Sequence, residues 1–410
     1  MVLGPGLITG ASDDDPSGIG TYTTAGASLG LATLWTAVLT LPMMAAVQFT
    51  CAKIGMVSGM GLTAVLRKHY SGWLVYLAIA LLVIANTVNA GADIGAIAAA
   101  INLLVPIPAA LLVLPIAIGI VTIQIWGSYS LIVRIFKWLT LTLFAYIFAA
   151  FLARPHWSDV LKATFIPTIR FDNQYLTTLL AILGTTITPY LFFWQANQEV
   201  EEELKMGRRS LAQREGATDR ELRIAELDVD VGMLFASVVF YFVILASAAT
   251  LHASGNTKVE TAVDAAQALR PLSNGVATIL FALGLIGSGL LAVPVLTSSS
   301  AYAVCEAFRW SSGLDEKLRG AGRFYAIIAA ATLIGTFINF LKIPPVTALF
   351  WSAVLNGILA PPLLAIIMLI ANNRKVMGDR TNGWLTNIIG WFTVAVMAAA
   401  SLGIFLTLGH

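Results

Sequence analysis

The sequence predicts an all-α polytopic membrane protein, on three observations. Of its 410 residues 58% are hydrophobic and only 11% charged, too few charges to cover a soluble surface. The apolar residues gather into about eleven segments, each near the roughly 20 residues a helix needs to cross about 30 Å of hydrocarbon. Those segments are continuously apolar, whereas the strands of a transmembrane barrel alternate lipid-facing and lumen-facing residues.

In chain order the spans are expected at 4–29, 31–60, 72–103, 109–126, 131–153, 175–203, 229–251, 272–305, 323–340, 346–370 and 383–408. Residues 1–10 carry no basic n-region and run directly into the first span, so no cleavable signal is expected. Cys51 and Cys305 both fall in spans, too few for a disulfide framework or a metal cluster.

The loops set the orientation. With an inside start, alternate loops hold 17 Lys and Arg on the inner side against 6 on the outer side, and Lys53 lies within a span. Basic residues accumulate in cytoplasmic loops, so a multi-pass protein of the cytoplasmic membrane is predicted, N-terminus inside and C-terminus outside. The net charge of +2 follows from that topology and points to no nucleic acid partner. No obligate protein partner is implied either. The charged stretch from Glu199 to Asp230 reads as a solvated helical extension and cytoplasmic loop, and 154–173, with Pro155 and Pro167, as an ordered outer connector.

The first span is interrupted by Asp13, Asp14, Asp15, Pro16, Ser17 and Gly18. A charge at the centre of a spanning helix costs at least about 2.5 to 3.5 kcal/mol on insertion scales, so the acids point to a polar site within the membrane. Successive helical residues point in different directions, which makes one acid facing a cavity more natural than three. Asp15, directly before the break, is the first candidate, with Asp14 adding to the local field.

The sixth span carries a second break, Gly184-Thr185-Thr186-Ile187-Thr188-Pro189-Tyr190. Pro189 removes a backbone donor and clashes with the preceding turn, which frees carbonyls around Thr185 for a cation. Interrupted spans at corresponding places in two halves mark the midplane site of secondary transporters. Asp93 in the third span is either a structural partner or a coupling or gating residue. The glycines at 284, 287 and 289 read as close helix packing.

Gly4-Pro5-Gly6 followed by the Asp15-Pro16 break, the proline-broken sixth span, the stretch from Phe281-Ala282-Leu283-Gly284 to Ser288-Gly289, and Asn373-Arg374-Lys375-Val376-Met377-Gly378 together resemble the Nramp family of divalent metal transporters. The resemblance covers nearly the whole chain. It implies a LeuT-like fold in a single transporter domain, 1–410, with inverted five-helix repeats over 1–153 and 175–370 and an added helix at 383–408. The implied metal site lies between the unwound parts of spans one and six. No cofactor is implied, since the divalent metal is the transported substrate.

The chain departs from the family pattern at the site. Where the family reads Asp-Pro-Gly-Asn, Asp15-Pro16-Ser17-Gly18 keeps the carboxylate and replaces the amide ligand with Gly18. The family's Met-Pro-His becomes Thr188-Pro189-Tyr190, and the Ala three residues before that Met becomes Thr185. Loss of the thioether favours hard cations held by oxygen, and Mg²⁺ keeps several of its waters. These substitutions resemble the Nramp-related magnesium transporters.

On this reading Asp15 supplies the main charge, Thr185 and Thr188 offer oxygen directly or through water, and Gly18 leaves room for retained water. Asn356 in the tenth span is an outer ligand or an ordinary packing amide. The family's third-span Asp aligns with Ala90 while Asp93 matches the neighbouring acidic position, and the sixth-span His is Tyr190. A phenol is a poorer proton carrier than imidazole near neutral pH. The sequence therefore predicts a Mg²⁺ carrier, with Mn²⁺ second, and leaves proton coupling open. The alternatives are a transition-metal (Mn²⁺ or Fe²⁺) proton symporter and a same-fold carrier of an organic solute. An intramembrane hydrolase built on Asp15 and Asp93 lacks any independent catalytic signature.

Overall fold

The computed structural model describes residues 4–127, 141–272, 274–341 and 343–408. Within them nine helices are long and apolar enough to cross a membrane, with the sixth span counted as one. The first expected span is instead two helices, α1 (Pro5–Asp13) and α2 (Pro16–Leu29). Neither alone crosses about 30 Å at 1.5 Å per residue.

Next come α3 (Trp35–Ser58), α4 (Gly72–Leu104) and α5 (Ala109–Trp126). The fifth expected span lies partly outside the described residues, as do Arg134, Lys137 and Lys342 from the loop count. Its described end includes α6 (Ala145–Leu152). The outer connector carries α7 (Trp157–Phe165), and the sixth span is α8 (Asn173–Thr186) followed by α9 (Pro189–Lys205). The rest is α10 (Asp219–Ser247), continued by a π-turn over Ala248–His252, then α11 (Asn274–Phe308), α12 (Gly322–Thr336), α13 (Pro345–Ala371) and α14 (Trp384–Leu408).

Local chemistry explains the interruptions. Proline is tolerated at the first position of a helix because the missing N–H would have no helical partner there. Pro16 and Pro189 occupy such positions in α2 and α9. Each converts what hydropathy reads as one span into two helices.

Packing then brings the breaks together. α1 and α2 both pack on α10, α8 packs on α13, and α4 contacts α11, α12 and α13. Small residues allow these approaches. A Cβ on Gly184 would strike the Ala353 carbonyl oxygen and Gly357, and one on Gly10 would strike Gly232.

Two expectations are corrected. The seventh span begins at Asp219 rather than 229, because Thr218 and Glu221 form a reciprocal capping box that starts the helix about ten residues earlier. The charged stretch after 198 is not wholly solvated, since Glu199 and Glu203 are buried. The end of α9 packs into the protein, where Glu199 accepts from Gln195 Nε2 at 2.9 Å and Glu203 pairs with Arg208 at 3.4 Å. The connector 154–173 is ordered by α7, and Cys51 and Cys305 are free and buried. Gly289 supports the packing reading of its glycine run, as an added Cβ would meet Ile97 and the Pro16 ring within about 3 Å.

Candidate cation site at the two helix breaks

α1 ends at Asp13, and Asp14 leaves helical geometry at φ −82°, ψ 50°. Asp15 follows in extended conformation as the N-cap of α2. Its Oδ1 accepts from Gly18 N and from Ser17 Oγ, both at 2.7 Å. This is ordinary capping chemistry placed in the middle of a membrane span. The other oxygen, Oδ2, accepts from Asn89 Nδ2 of α4 at 3.0 Å, and Asn89 Oδ1 accepts from Ser352 Oγ of α13 at 2.8 Å.

The second break lies beside the first. Ile187 N still bonds to Leu183 O, so α8 ends there, and Thr188 is extended at φ −97°, ψ 135°. Proline has no N–H, so Thr185 O lacks the helical donor that residue 189 would otherwise supply. Thr185 Oγ1 is 3.3 Å from Ser17 Oγ, which joins the two breaks directly. A Cβ built on Gly18 would lie 3.2 Å from Tyr22 Cε2, 3.3 Å from Asp13 O and 3.4 Å from Thr185 Oγ1. Gly18 therefore faces the junction.

Asp13, Asp14, Asp15, Asp93, Thr185, Thr188 and Asn356 are each at most 2% exposed. Among the described residues the carboxylates of Asp13 and Asp14, Thr188 Oγ1 and both polar atoms of the Asn356 amide have no hydrogen-bonding partner. Asp93 is likewise buried, one helical turn along α4 from Asn89, which bonds Asp15. None of these acids forms a salt bridge among the described residues. Like charges confined together are unfavourable unless a cation or protons offset them. No three His, Cys, Asp or Glu of the described residues form a ready metal cluster, and the groups bonded to Asp15 are a hydroxyl, a backbone N–H and a side-chain amide.

Tyr190 bridges the breaks. Its hydroxyl donates to Ser12 O at 2.8 Å, and Ser299 Oγ donates to Tyr190 O at 2.9 Å. One turn deeper, Thr9 Oγ1 donates to Gln195 Oε1 at 2.5 Å. The bonds to Ser12 and from Thr9 close α1 against α9, and the Ser299 bond ties α9 to α11. On the other side Tyr22 stacks on Phe240 with ring centroids 4.8 Å apart, which closes α2 against α10.

Sequence reading picked out the breaks but missed Asn89 and Ser352, the pair that orients Asp15. Asn89 precedes Asp93 by four residues on α4, a helical spacing that puts both on one face. Read as a pair of intramembrane polar groups, that spacing is the signal for Asn89. Ser352 carries none, because hydroxyls are common on buried helix faces.

Two interrupted spans meeting at a buried polar centre define a polytopic helical transporter of the broken-helix class. The profile described as natural resistance-associated macrophage protein-like (Nramp) matches residues 6–407, and the chain belongs to that family of transporters. It is 26% identical over 408 residues to the divalent metal cation transporter MntH of Klebsiella pneumoniae, covering 97% of this chain and 92% of that protein. The crystal structure of the Eremococcus coleocola manganese transporter with an aromatic bis-isothiourea substituted compound matches with a TM-score of 0.75 at 20% identity, over 98% of this chain and 85% of that one. The inward-facing conformation of Mhp1 matches at 0.56 with 13% identity, over 99% and 90%. At these identities the two structures establish a shared fold.

Proposed function

We propose that the chain is a secondary carrier that moves divalent metal cations across the cytoplasmic membrane by alternating access, with the metal held at the junction of the two breaks. The observation that carries this is Asp15, a buried carboxylate in an unwound segment whose hydrogen-bond donor Ser17 lies 3.3 Å from Thr185 Oγ1 of the second break. Asp14 adds field and Asn356 supplies an outer oxygen, whereas Gly18 serves close approach of the two breaks rather than water retention, since an added Cβ would already lie 3.2 to 3.4 Å from Tyr22, Asp13 O and Thr185 Oγ1. Asp93 and Tyr190 act in coupling or gating. The sequence relative is described as a divalent metal cation transporter and the structural one as a manganese transporter, so Mn²⁺ uptake is the first reading.

A second reading rests on the donor set. The site residues offer oxygen and no thioether, a set that suits Mg²⁺ better than softer metals. The readings separate in proteoliposomes loaded with Mn²⁺-sensitive, Mg²⁺-sensitive and pH-sensitive dyes. Mn²⁺ entry with acidification supports a proton symporter, and Mg²⁺ entry without it supports the uncoupled magnesium carrier. Entry of neither metal sinks both and favours an organic substrate.

The same proposal takes the chain as one domain of eleven spans, with inverted repeats over 1–153 and 175–370, the extra helix at 383–408, and the N-terminus inside. The loop count of basic residues supports that orientation.

A further inference from the structure

At the far end of α10 from the Glu199–Glu203 segment, a cavity of about 810 Å³ opens between the outer end of α2, the π-turn and α7. Arg154, Lys162, Arg170 and His252 line it, and Asp159 is set against them. None of the three Lys and Arg side chains forms an ion pair among the described residues. The surplus positive charge suits an anion. Two features make this more than a loose surface patch. Arg154 holds the turn between α6 and α7 at φ 50°, and His252 Nδ1 lies 2.8 Å from Ala27 O, so the cavity wall is tied to the outer half of the broken first span.

The surroundings indicate where the anion comes from. α7 buries Val160 and Thr164 against the protein. It leaves Trp157, Leu161 and Phe165 exposed at 41%, 57% and 69%. Their spacing of four residues puts them on one face. In a chain that spans a membrane, such a helix lies in the interface with its apolar stripe among the acyl chains. Ile166, which continues that surface, also lines the cavity. We propose that this cavity binds the phosphate of an anionic phospholipid headgroup through Arg154, Lys162 and Arg170, with the lipid chains lying along the α7 stripe.

The test uses the purified full chain in neutral detergent and native mass spectrometry. Retention of phosphatidylglycerol is compared with that of phosphatidylcholine, with and without inorganic phosphate. The protein is expected to retain phosphatidylglycerol preferentially, and phosphate at the same concentration should not displace it. Each cation removed takes away a charged hydrogen-bond donor to the phosphate, so retention should weaken by roughly fivefold or more per side chain. The triple variant Arg154→Gln, Lys162→Gln, Arg170→Gln carries the largest effect. The double variant Lys162→Gln, Arg170→Gln leaves the Arg154 turn intact and decides the matter if the triple variant misfolds. Arg319→Gln with Arg374→Gln, both exposed elsewhere, should change nothing. Equal retention of the two lipids, or undiminished phosphatidylglycerol retention in the folded variants, overturns the proposal. Displacement by inorganic phosphate would assign the cavity to free phosphate and overturn the lipid source.

Discussion

At the residue scale, three neighbours hold Asp15 in the break. Its two oxygens accept three hydrogen bonds, from Ser17, Gly18 and Asn89, which fix the carboxylate in the break. Groups that orient a metal ligand typically matter by about 10- to 100-fold in affinity. Asn89→Ala is therefore expected to weaken Mn²⁺ binding by about that range while the protein stays folded, as calorimetry against size-exclusion profiles would show. An affinity equal to wild type would remove Asn89 from the site. Thr188→Met returns a soft ligand to an oxygen-rich site, and the competition of Cd²⁺ or Mn²⁺ against Mg²⁺ should move toward the softer ions. An unmoved competition curve would count against the donor-set argument. Asp15 was legible in the sequence because three acids and a proline cannot sit unexplained in an apolar run. Ser352 was not, because its role depends on which face of α13 meets α4.

At the element scale two contacts between α1 and α9, Thr9 to Gln195 and Tyr190 to Ser12, close one side of the centre. A net hydrogen bond is worth about 1 kcal/mol, or about fivefold in an opening equilibrium. Thr9→Val removes the bond to Gln195 and leaves the Gln195–Glu199 bond in place, and it should raise the maleimide labelling rate of a Ser12→Cys reporter by about that factor, since the natural cysteines are buried. An unchanged rate would mean that the closure is held elsewhere. Close packing gives a separate prediction. Gly184→Leu would force a side chain into Ala353 and Gly357, and overpacking costs about 1 to 3 kcal/mol, so thermal stability in detergent should fall. Gly119→Leu is the control, as nothing lies within 4 Å of its added Cβ, and equal effects from both would contradict the packing assignment. Hydropathy located the spans, and Pro16 and Pro189 located the breaks. It misplaced the start of α10, where capping by Thr218 and Glu221 extends a helix through polar sequence. It also missed the burial of Glu199, which depends on Gln195 one turn earlier.

At the scale of the whole molecule, two half-spans from each end of the fold meet at one buried centre. α1 is closed against α9 and α2 against α10, and Asp15 is buried. A carrier must open these closures one at a time. Opening both together would make a channel, and opening neither would trap the ion. The fold class and the interrupted spans could be read from the sequence because both follow from composition and local backbone chemistry. Which helices enclose the centre could not, because that is set by long-range packing of α4, α10 and α13.

The most direct test of the central claim is dye-monitored entry of Mn²⁺ and Mg²⁺ into proteoliposomes containing either the wild-type chain or Asp15→Asn. At least one of the two metals is expected to enter with the wild-type chain and, for that metal, the variant's rate should be indistinguishable from that of protein-free vesicles. Entry through Asp15→Asn at the wild-type rate would contradict that claim.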